Sequence, residues 1–153
     1  MFFLIIIATF FFMEFVAWFT HKFVMHGFLW NLHKDHHVKT PEQRLSFFER
    51  NDSFFIIFAV PGFSFILLGT LFGFELLLPI GIGISAYGLA YFLVHDIFIH
   101  QRIKMLRNSN NVYLKAARRA HKIHHKHVSK EDGECFGMLF FPWKYMKKEL
   151  KSE

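Results

Sequence analysis

The sequence predicts an all-α integral membrane protein with three to four transmembrane helices and a cytoplasmic helical cluster of histidines. Three observations support this fold class. Hydrophobic residues make up 53% of the 153 residues, and the mean hydropathy is +0.26, which is too apolar for an ordinary small soluble domain. The apolar residues occur in long blocks, and ten of the eleven histidines follow one spacing pattern that occurs twice.

Three apolar blocks define the predicted spans. Phe2 to Phe19 contains Glu14 as its one charged residue, whereas Phe54 to Phe74 and Leu76 to Val94 contain none. A helix of roughly 20 apolar residues crosses a bilayer core, so we expect spans at about 2–24, 53–73 and 76–100. At this length we expect a single domain over 1–153.

The details of the blocks add further expectations. The stretch around Gly73 and Glu75 predicts a tight hairpin between the second and third spans. Pro61 and Pro79 mark candidate kinks, because membrane helices tolerate proline better than soluble ones do. No basic segment precedes the first block and no small-residue cleavage site follows it, so we expect a retained span and not a signal peptide.

The basic residues indicate the orientation in the membrane. Five of the 18 Lys and Arg residues lie between Lys22 and Arg50, and the other thirteen lie between Arg102 and Lys151. Three spans place both segments on one side, which the positive-inside rule makes cytoplasmic. We interpret the net charge of +6 as favouring lipid headgroups and an acidic partner protein, and we expect no nucleic acid because no recognition motif is present. The single cysteine, Cys135, excludes an internal disulfide and is expected to pack in the core.

Ten histidines form two sets with the same spacing, H-x4-H followed by H-x2-H-H, and His127 alone falls outside. The first set is His21, His26, His33, His36 and His37, and the second is His95, His100, His121, His124 and His125. The H-x4-H pair of each set occurs at the predicted cytoplasmic end of a span, the first or the third. A solvated or headgroup-binding histidine surface does not explain the same five-residue spacing twice, so the pattern predicts metal binding.

Helix geometry predicts which histidines share a face. Positions i, i+3 and i+4 point the same way, so each H-x2-H-H motif presents three imidazoles from a helix, with Asn31 and either Asn110 or Asn111 as candidate N-caps. An H-x4-H pair on an ideal α-helix lies roughly 140° apart. Such pairs either reach two different centres or are realigned by a local π-bulge.

Ten ligands exceed what one ion can use, so the sequence predicts two ions. Imidazole suits zinc, copper, iron and nickel alike, and a structural zinc needs four ligands only. The surplus of neutral ligands points to a reactive dinuclear centre. Asp35 and Asp96, which adjoin His36 and His95, are candidates to orient imidazole N–H groups, although both can equally be solvated acids.

Four stretches of the chain resemble the membrane-bound β-carotene hydroxylase family, within the wider fatty acid hydroxylase and sterol desaturase superfamily. They are HKFVMHGFLWNLHKDHH (His21 to His37), HDIFIHQR (His95 to Arg102), RAHKIHHKH (Arg119 to His127) and GECFGMLFFP (Gly133 to Pro142). With the spans between them, the resemblance covers nearly the whole chain. Histidine pairs occur in many desaturases and hydroxylases, whereas the HDIFIHQR and GECFGMLFFP stretches are more specific to this family.

The resemblance implies a non-haem di-iron monooxygenase that hydroxylates C3 of carotenoid β-rings and converts β-carotene through β-cryptoxanthin to zeaxanthin. It carries the ten histidines over as iron ligands, with O2 as cosubstrate. Nothing in the chain is similar to a flavin or nicotinamide site, so the electrons are external, and a ferredoxin-type donor fits the basic surface. The oligomeric state stays open.

Two other interpretations are compatible with the histidine spacing. A related di-iron lipid oxidase, such as a ketolase, a sterol or fatty acid hydroxylase or a desaturase, shares the same ligands. A histidine-rich membrane metal transporter or haem protein is a different class, but it should place polar ligands near the middle of its spans. A substrate from the bilayer would meet the histidines at the span ends, and the candidate residues lining its path are Tyr91, Phe92 and Phe98.

The C-terminal part contains a candidate interfacial anchor, formed by Trp143, Tyr145, Lys147 and Lys148.

Overall fold

The computed structural model describes residues 1–105, 108–129 and 131–151, and within them it contains helices and no β-strand. A 3-10 turn lies at Gln43–Leu45, and two of the helices continue into π-helices described below. The α-helices are α1 (Phe2–Phe19), α2 (Trp30–His37), α3 (Asp52–Leu71), α4 (Leu77–Tyr91), α5 (Val112–His124) and α6 (Trp143–Leu150). The predicted all-α fold class is confirmed.

Three helical segments are long and apolar enough to cross a membrane. They are Phe2–Phe28, Asp52–Leu71 and Leu77–Ile99, and each end lies within four residues of the predicted span. Large apolar side chains cover their outer faces, with Phe3 exposed by 76% and Phe63 by 63%. An apolar exterior of this extent suits lipid and not water, so the chain is a membrane protein.

α4 packs against both α1 and α3. Two glycines on α4 make the approach close. A Cβ atom at Gly81 would lie 2.7 Å from the carbonyl oxygen of Gly62 on α3, and one at Gly83 would lie 2.6 Å from Cβ of Thr9 on α1. Small residues let membrane helices pack backbone to backbone, so these two positions hold the three spans together.

The hairpin between α3 and α4 forms as predicted. Gly73 follows α3 with a φ of +73°, the left-handed geometry that commonly ends a helix. Pro61 lies inside α3, which runs as one helix from Asp52 to Leu71. Pro79 is the third residue of α4, where a backbone N–H has no partner within the helix. Pro79 therefore marks the beginning of a helix.

The C-terminal part packs on α5. Ala116, Ala120, Cys135 and Tyr145 form a buried cluster between α5, the following loop and α6. Cys135 is a free buried thiol, as predicted. Tyr145 is 6% exposed and belongs to this cluster, which does not fit the expected anchor, whereas Trp143 is 60% exposed. An interfacial anchor at Trp143, Lys147 and Lys148 stays a prediction.

Candidate metal centre

Two π-helices realign the H-x4-H pairs. α1 continues into a π-helix at Thr20–Phe28, and α4 continues into one at Phe92–Ile99. In a π-helix the hydrogen bonds run from i to i+5, and the backbone N–H of His100 donates to the carbonyl of His95 at 2.8 Å. The rings of each pair therefore lie together, with centroids 5.1 Å apart for His21 and His26 and 4.5 Å apart for His95 and His100. The π-bulge alternative is confirmed, and the alternative of two separate centres for each pair is wrong.

The H-x2-H-H motifs lie on α2 and at the end of α5. Asn111 caps α5, and its side chain accepts the backbone N–H of Leu114 at 3.0 Å, as predicted. The prediction of Asn31 as a cap is wrong. α2 begins at Trp30, and Asn31 lies inside the helix because the chain enters α2 almost directly from the first π-helix.

Nine of the ten histidines form two groups, in each of which the offered ring nitrogens lie within 4.8 Å of one another. The first group is His21, His26, His33, His37 and His124, and the second is His36, His95, His100 and His121. The tenth, His125, adjoins the second group, because its Nε2 lies 2.8 Å from Nε2 of His121. His127 is exposed and belongs to neither group.

The two sequence sets therefore converge and also exchange one member. In each H-x2-H-H motif the middle histidine crosses to the other group: His36 joins the second group and His124 joins the first. Adjacent histidines such as His36 and His37 on α2 thus belong to different groups. The two groups meet at His37 and His125, whose ring centroids are 4.3 Å apart. The arrangement forms one compact site with two centres.

Hydrogen bonds fix the tautomer of the rings in the first group. Nδ1 of His21 donates to the carbonyl oxygen of Phe136 at 2.9 Å, and Nδ1 of His33 donates to Oδ1 of Asn51 at 2.6 Å. Because both partners are acceptors only, the proton lies on Nδ1 and each Nε2 has a lone pair. These two Nε2 atoms are nevertheless 3.1 Å apart. His26 and His124 repeat the arrangement, with Nδ1 atoms on backbone carbonyls and Nε2 atoms 3.3 Å apart.

The second group shows the same geometry with carboxylates as acceptors. Nδ1 of His36 donates to Oε2 of Glu49 at 2.8 Å, and Nδ1 of His95 faces Oδ2 of Asp96 at 3.4 Å. Their Nε2 atoms are 3.1 Å apart. Two lone pairs at this distance repel each other unless a cation lies between them. Two imidazole nitrogens bound at right angles, each about 2.1 Å from a metal ion, are about 3.0 Å apart, so the histidines fit metal ions in both groups.

Burial keeps several of the imidazoles neutral. Desolvation lowers the pKa of His33 to about 3 and the pKa of His125 to about 4, and neighbouring imidazoles add to the effect. The same causes lower the pKa of His36, His100 and His121 well below the usual 6.5. Neutral imidazole is the form that binds a metal, so the site is set up for cations without prior loss of protons.

Sequence reasoning missed the charged network behind the second group. Nη2 of Arg102 lies 2.6 Å from Oδ1 of Asp52 and 3.2 Å from Oε2 of Glu49, and its Nε lies 3.0 Å from Oδ1 of Asp96. Two of these carboxylates also face the ring nitrogens of His36 and His95. Such supporting groups hold metal ligands in place. Arg102 is the last residue of the HDIFIHQR motif. Glu49 and Asn51 lie in a loop whose sequence contains no motif that would identify them as functional residues.

The two predicted supporting acids have different positions. Asp96 lies next to His95 and Arg102, where such a group should be. Oδ2 of Asp35 accepts the backbone N–H of Arg50 at 2.7 Å, and none of the contacts described for its carboxylate joins an imidazole. Asp35 therefore fixes the loop that carries Glu49 and Asn51.

An apolar cavity of about 440 Å³ lies between α1, α3 and α4 and reaches the histidines. His21, Asn51 and Asp96 line one end, and Phe63 and Ser85 line the other. Eleven residues of α3 separate Asp52 from Phe63, so the cavity extends about 16 Å along the helices at 1.5 Å per residue. This size is typical of small-molecule sites.

The lining includes two of the three aromatic residues expected there. Tyr91 and Phe92 line the cavity. The prediction for Phe98 is wrong, because this side chain is 1% exposed and its ring lies 4.0 Å from the guanidinium of Arg118 on α5. Its position on the far side of the second π-helix makes it a packing residue.

Comparisons with known proteins point to one family. The family model for fatty acid hydroxylase matches residues 6–148. The β-carotene hydroxylase of Pantoea ananas is 40% identical over 139 residues, which cover 91% of this chain and 77% of that protein. The β-carotene hydroxylase of Pseudescherichia vulneris is 41% identical over 137 residues, which cover 90% and 75%. The chloroplastic β-carotene 3-hydroxylase 2 of Arabidopsis thaliana is 36% identical over 135 residues, which cover 85% and 42%. No solved structure matches the chain.

Proposed function

The chain belongs to the fatty acid hydroxylase family, and we propose that within it the chain is a carotenoid β-ring 3-hydroxylase. In this proposal it hydroxylates C3 of each ring and converts β-carotene through β-cryptoxanthin to zeaxanthin. The relatives named β-carotene hydroxylase come from both bacteria and plants and match most of this chain.

The observation that carries the proposal is the position of the facing imidazole nitrogens at the end of an apolar cavity. His21 belongs to the first group and also lines the cavity, so a molecule in the cavity reaches the proposed metal centre directly. An apolar cavity lined by membrane helices suits a substrate dissolved in lipid. The histidines lie at one end of the spans and not at their middle, which disfavours a transporter.

We propose two iron ions as the cofactor. The ligands to the first ion would be His21, His26, His33, His37 and His124, and those to the second His36, His95, His100, His121 and His125. When bound, the irons supply the activation of O2 that hydroxylation of an unactivated ring carbon requires. The chain's own part is to keep the Nε2 atoms of several imidazoles unprotonated through hydrogen bonds at Nδ1, and to hold the ring of the substrate in a dry apolar cavity. These imidazoles are those of His21, His26, His33, His36 and His124.

The electrons come from outside the chain in this proposal. Lys and Arg residues concentrate in the two segments that carry the H-x2-H-H motifs, and we place this face on the cytoplasmic side. An acidic ferredoxin-type protein is the donor that such a face would attract.

Expression in a bacterial host that accumulates β-carotene tests the substrate. We expect zeaxanthin and β-cryptoxanthin by pigment chromatography, and two irons per chain in the purified protein. Canthaxanthin in their place would identify a ketolase, and unchanged pigment from an iron-loaded chain would identify a different lipid as the substrate.

A matched pair of histidine variants tests the site in the same host. His36→Ala should abolish the new pigments, because it removes a ligand that the first sequence set gives to the second group. His127→Ala should leave them unchanged, because His127 is exposed and outside both groups. Equal loss in both variants would show that the effect does not depend on the proposed centre.

A further inference from the structure

Glu14 is a buried charged residue in the middle of a membrane-spanning helix. It lies on α1 and is 5% exposed. A carboxylate in this position is strongly unfavourable unless it has partners, and such residues are usually retained for a purpose. Neither histidine group includes Glu14, so the proposed metal centre does not account for it.

The contacts of Glu14 are all with hydrogen-bond donors. Its Oε1 accepts the backbone N–H groups of Met138, Leu139 and Phe140 at 2.8, 2.9 and 2.9 Å. Its Oε2 accepts the O–H of Tyr87 on α4 at 2.6 Å. Three successive backbone N–H groups around one anionic oxygen form an anion-binding nest. This arrangement suits a deprotonated carboxylate.

The segment that donates these bonds and continues back to Glu134, residues 134–141, is called the return segment here. Glu14 lies seven residues before His21 on the helix, which is about 10 Å, and Phe11 lies ten residues before His21, which is about 15 Å. The ring of Phe140 stacks on that of Phe11 with centroids 6.2 Å apart. The return segment therefore extends back from the histidines along the first span.

Backbone N–H groups at this depth need an acceptor. Lipid supplies none, and non-helical backbone is tolerated within a bilayer only where protein satisfies it. Glu14 does so for three consecutive residues. The approach also requires a glycine, because a Cβ atom at Gly137 would lie 2.7 Å from Oε1 of Glu14.

The same stretch of chain orients two histidines of the first group. The carbonyl of Phe136 accepts from Nδ1 of His21 at 2.9 Å, and the carbonyl of Glu134 accepts from Nδ1 of His124 at 3.1 Å. The ring of Phe136 also contacts both imidazoles, with centroids 5.5 and 5.0 Å away. A shift of the return segment would therefore move both acceptors.

We propose that Glu14 is a positioning residue that holds the return segment inside the bilayer and, through the carbonyls of Glu134 and Phe136, holds His21 and His124 in their metal-binding orientation. The second half of this inference rests on the proposed metal centre. The first half concerns the location of the segment and does not depend on any metal.

Cysteine labelling tests the location. In a full-length Cys135→Ala background, Phe140→Cys and Lys147→Cys are treated with a charged, water-soluble maleimide in membranes open on both faces. We expect Phe140→Cys to react at least about tenfold more slowly than Lys147→Cys, and Glu14→Ala to remove most of that protection. Equal rates for the two cysteines with Glu14 present would overturn the proposal, and so would protection that Glu14→Ala leaves unchanged.

Cobalt titration of the purified full chain tests the orienting role. We expect Glu14→Gln, which keeps an acceptor but loses the charge, and Gly137→Ala, which crowds the nest, to weaken Co(II) binding by about 10- to 100-fold and to alter its visible spectrum. Glu75→Gln makes the same chemical change in the exposed α3–α4 turn and should have no effect. A Glu14→Gln chain with unaltered affinity and spectrum refutes the orienting role.

The two measurements separate the possible failures. If the unaltered chain binds no metal, the proposed function and the orienting role fall together, while the labelling rates still decide where the return segment lies. If the metal binds but no carotenoid is converted in the host experiment, the substrate assignment fails and the inference about Glu14 stands.

Discussion

Asn51→Leu should weaken metal binding without changing any histidine. Asn51 is 9% exposed, and its Oδ1 accepts the proton on Nδ1 of His33 at 2.6 Å. Leucine is similar in size but has no acceptor. The buried N–H is then left without a partner, which costs about 1–3 kcal/mol, and the proton is free to move to Nε2, where it competes with the metal.

The expected magnitude follows from that cost. At about 1.4 kcal/mol per factor of ten, a loss of about 1–3 kcal/mol corresponds to about 5- to 150-fold weaker metal binding. This range agrees with the effect of about 10- to 100-fold that is usual when a group supporting a metal ligand is removed. Asn51→Asp should stay close to the unaltered chain, because a carboxylate also accepts the Nδ1 proton.

The assay is titration of the purified full chain with Co(II) against a competing chelator. Asn31→Leu is the matched control, because Asn31 is exposed on α2 and outside the site. The reasoning fails if Asn51→Leu binds Co(II) as tightly as the unaltered chain. It fails equally if Asn51→Asp loses as much affinity as Asn51→Leu, since the effect would then come from packing and not from the tautomer.

Three further predictions address the network, the cavity and the helix packing. Arg102→Gln should lower the free energy of unfolding by about 3–5 kcal/mol in a thermal assay, because it removes the cation that pairs with the 13%-exposed Asp96 side chain. Lys144→Gln, at a pair where the lysine is 59% exposed, should lower it by at most about 1 kcal/mol. Similar losses in the two variants would contradict a special role for the network. Ala59→Phe should fill the cavity and reduce pigment conversion by about 100-fold at unchanged metal content. Val60→Phe, at a position exposed by 57%, should leave pigment conversion unchanged. Loss of metal in Ala59→Phe would point to misfolding. Gly81→Ala should destabilise the protein by about 1–3 kcal/mol, because the new Cβ would lie 2.7 Å from a backbone carbonyl, and a variant as stable as the original would refute the close packing of α3 and α4.

Much of the fold follows from the sequence, because the membrane constrains it strongly. A segment that must satisfy its backbone inside lipid has to be helical, so the apolar blocks determine where the spans lie. The cap at Asn111 and the turn at Gly73 were also predictable, since both depend on residues adjacent in the chain. The capping prediction for Asn31 failed for a local reason, because no free helix end exists where the first π-helix leads into α2.

The histidine spacing predicted that the ten histidines belong together, but not how they divide into two groups. The four residues between His21 and His26 left two geometries open, and the π-helix decided between them. The exchange of His36 and His124 between the groups depends on how α2 and α5 face each other, which no spacing along either helix encodes. The acceptors at Nδ1 were equally hidden, because several of them are backbone carbonyls that every residue possesses.

The sequence by itself determined that three apolar helices cross a membrane and that two equal sets of imidazoles lie at their ends, because hydropathy and spacing are properties of neighbouring residues. Only the tertiary structure decided which imidazoles face each other, which acceptor fixes each tautomer, and how a carboxylate inside α1 holds backbone from a segment more than 120 residues later. These features depend on contacts between distant parts of the chain. The free energy that each such contact contributes depends on its burial and geometry and not on residue type alone.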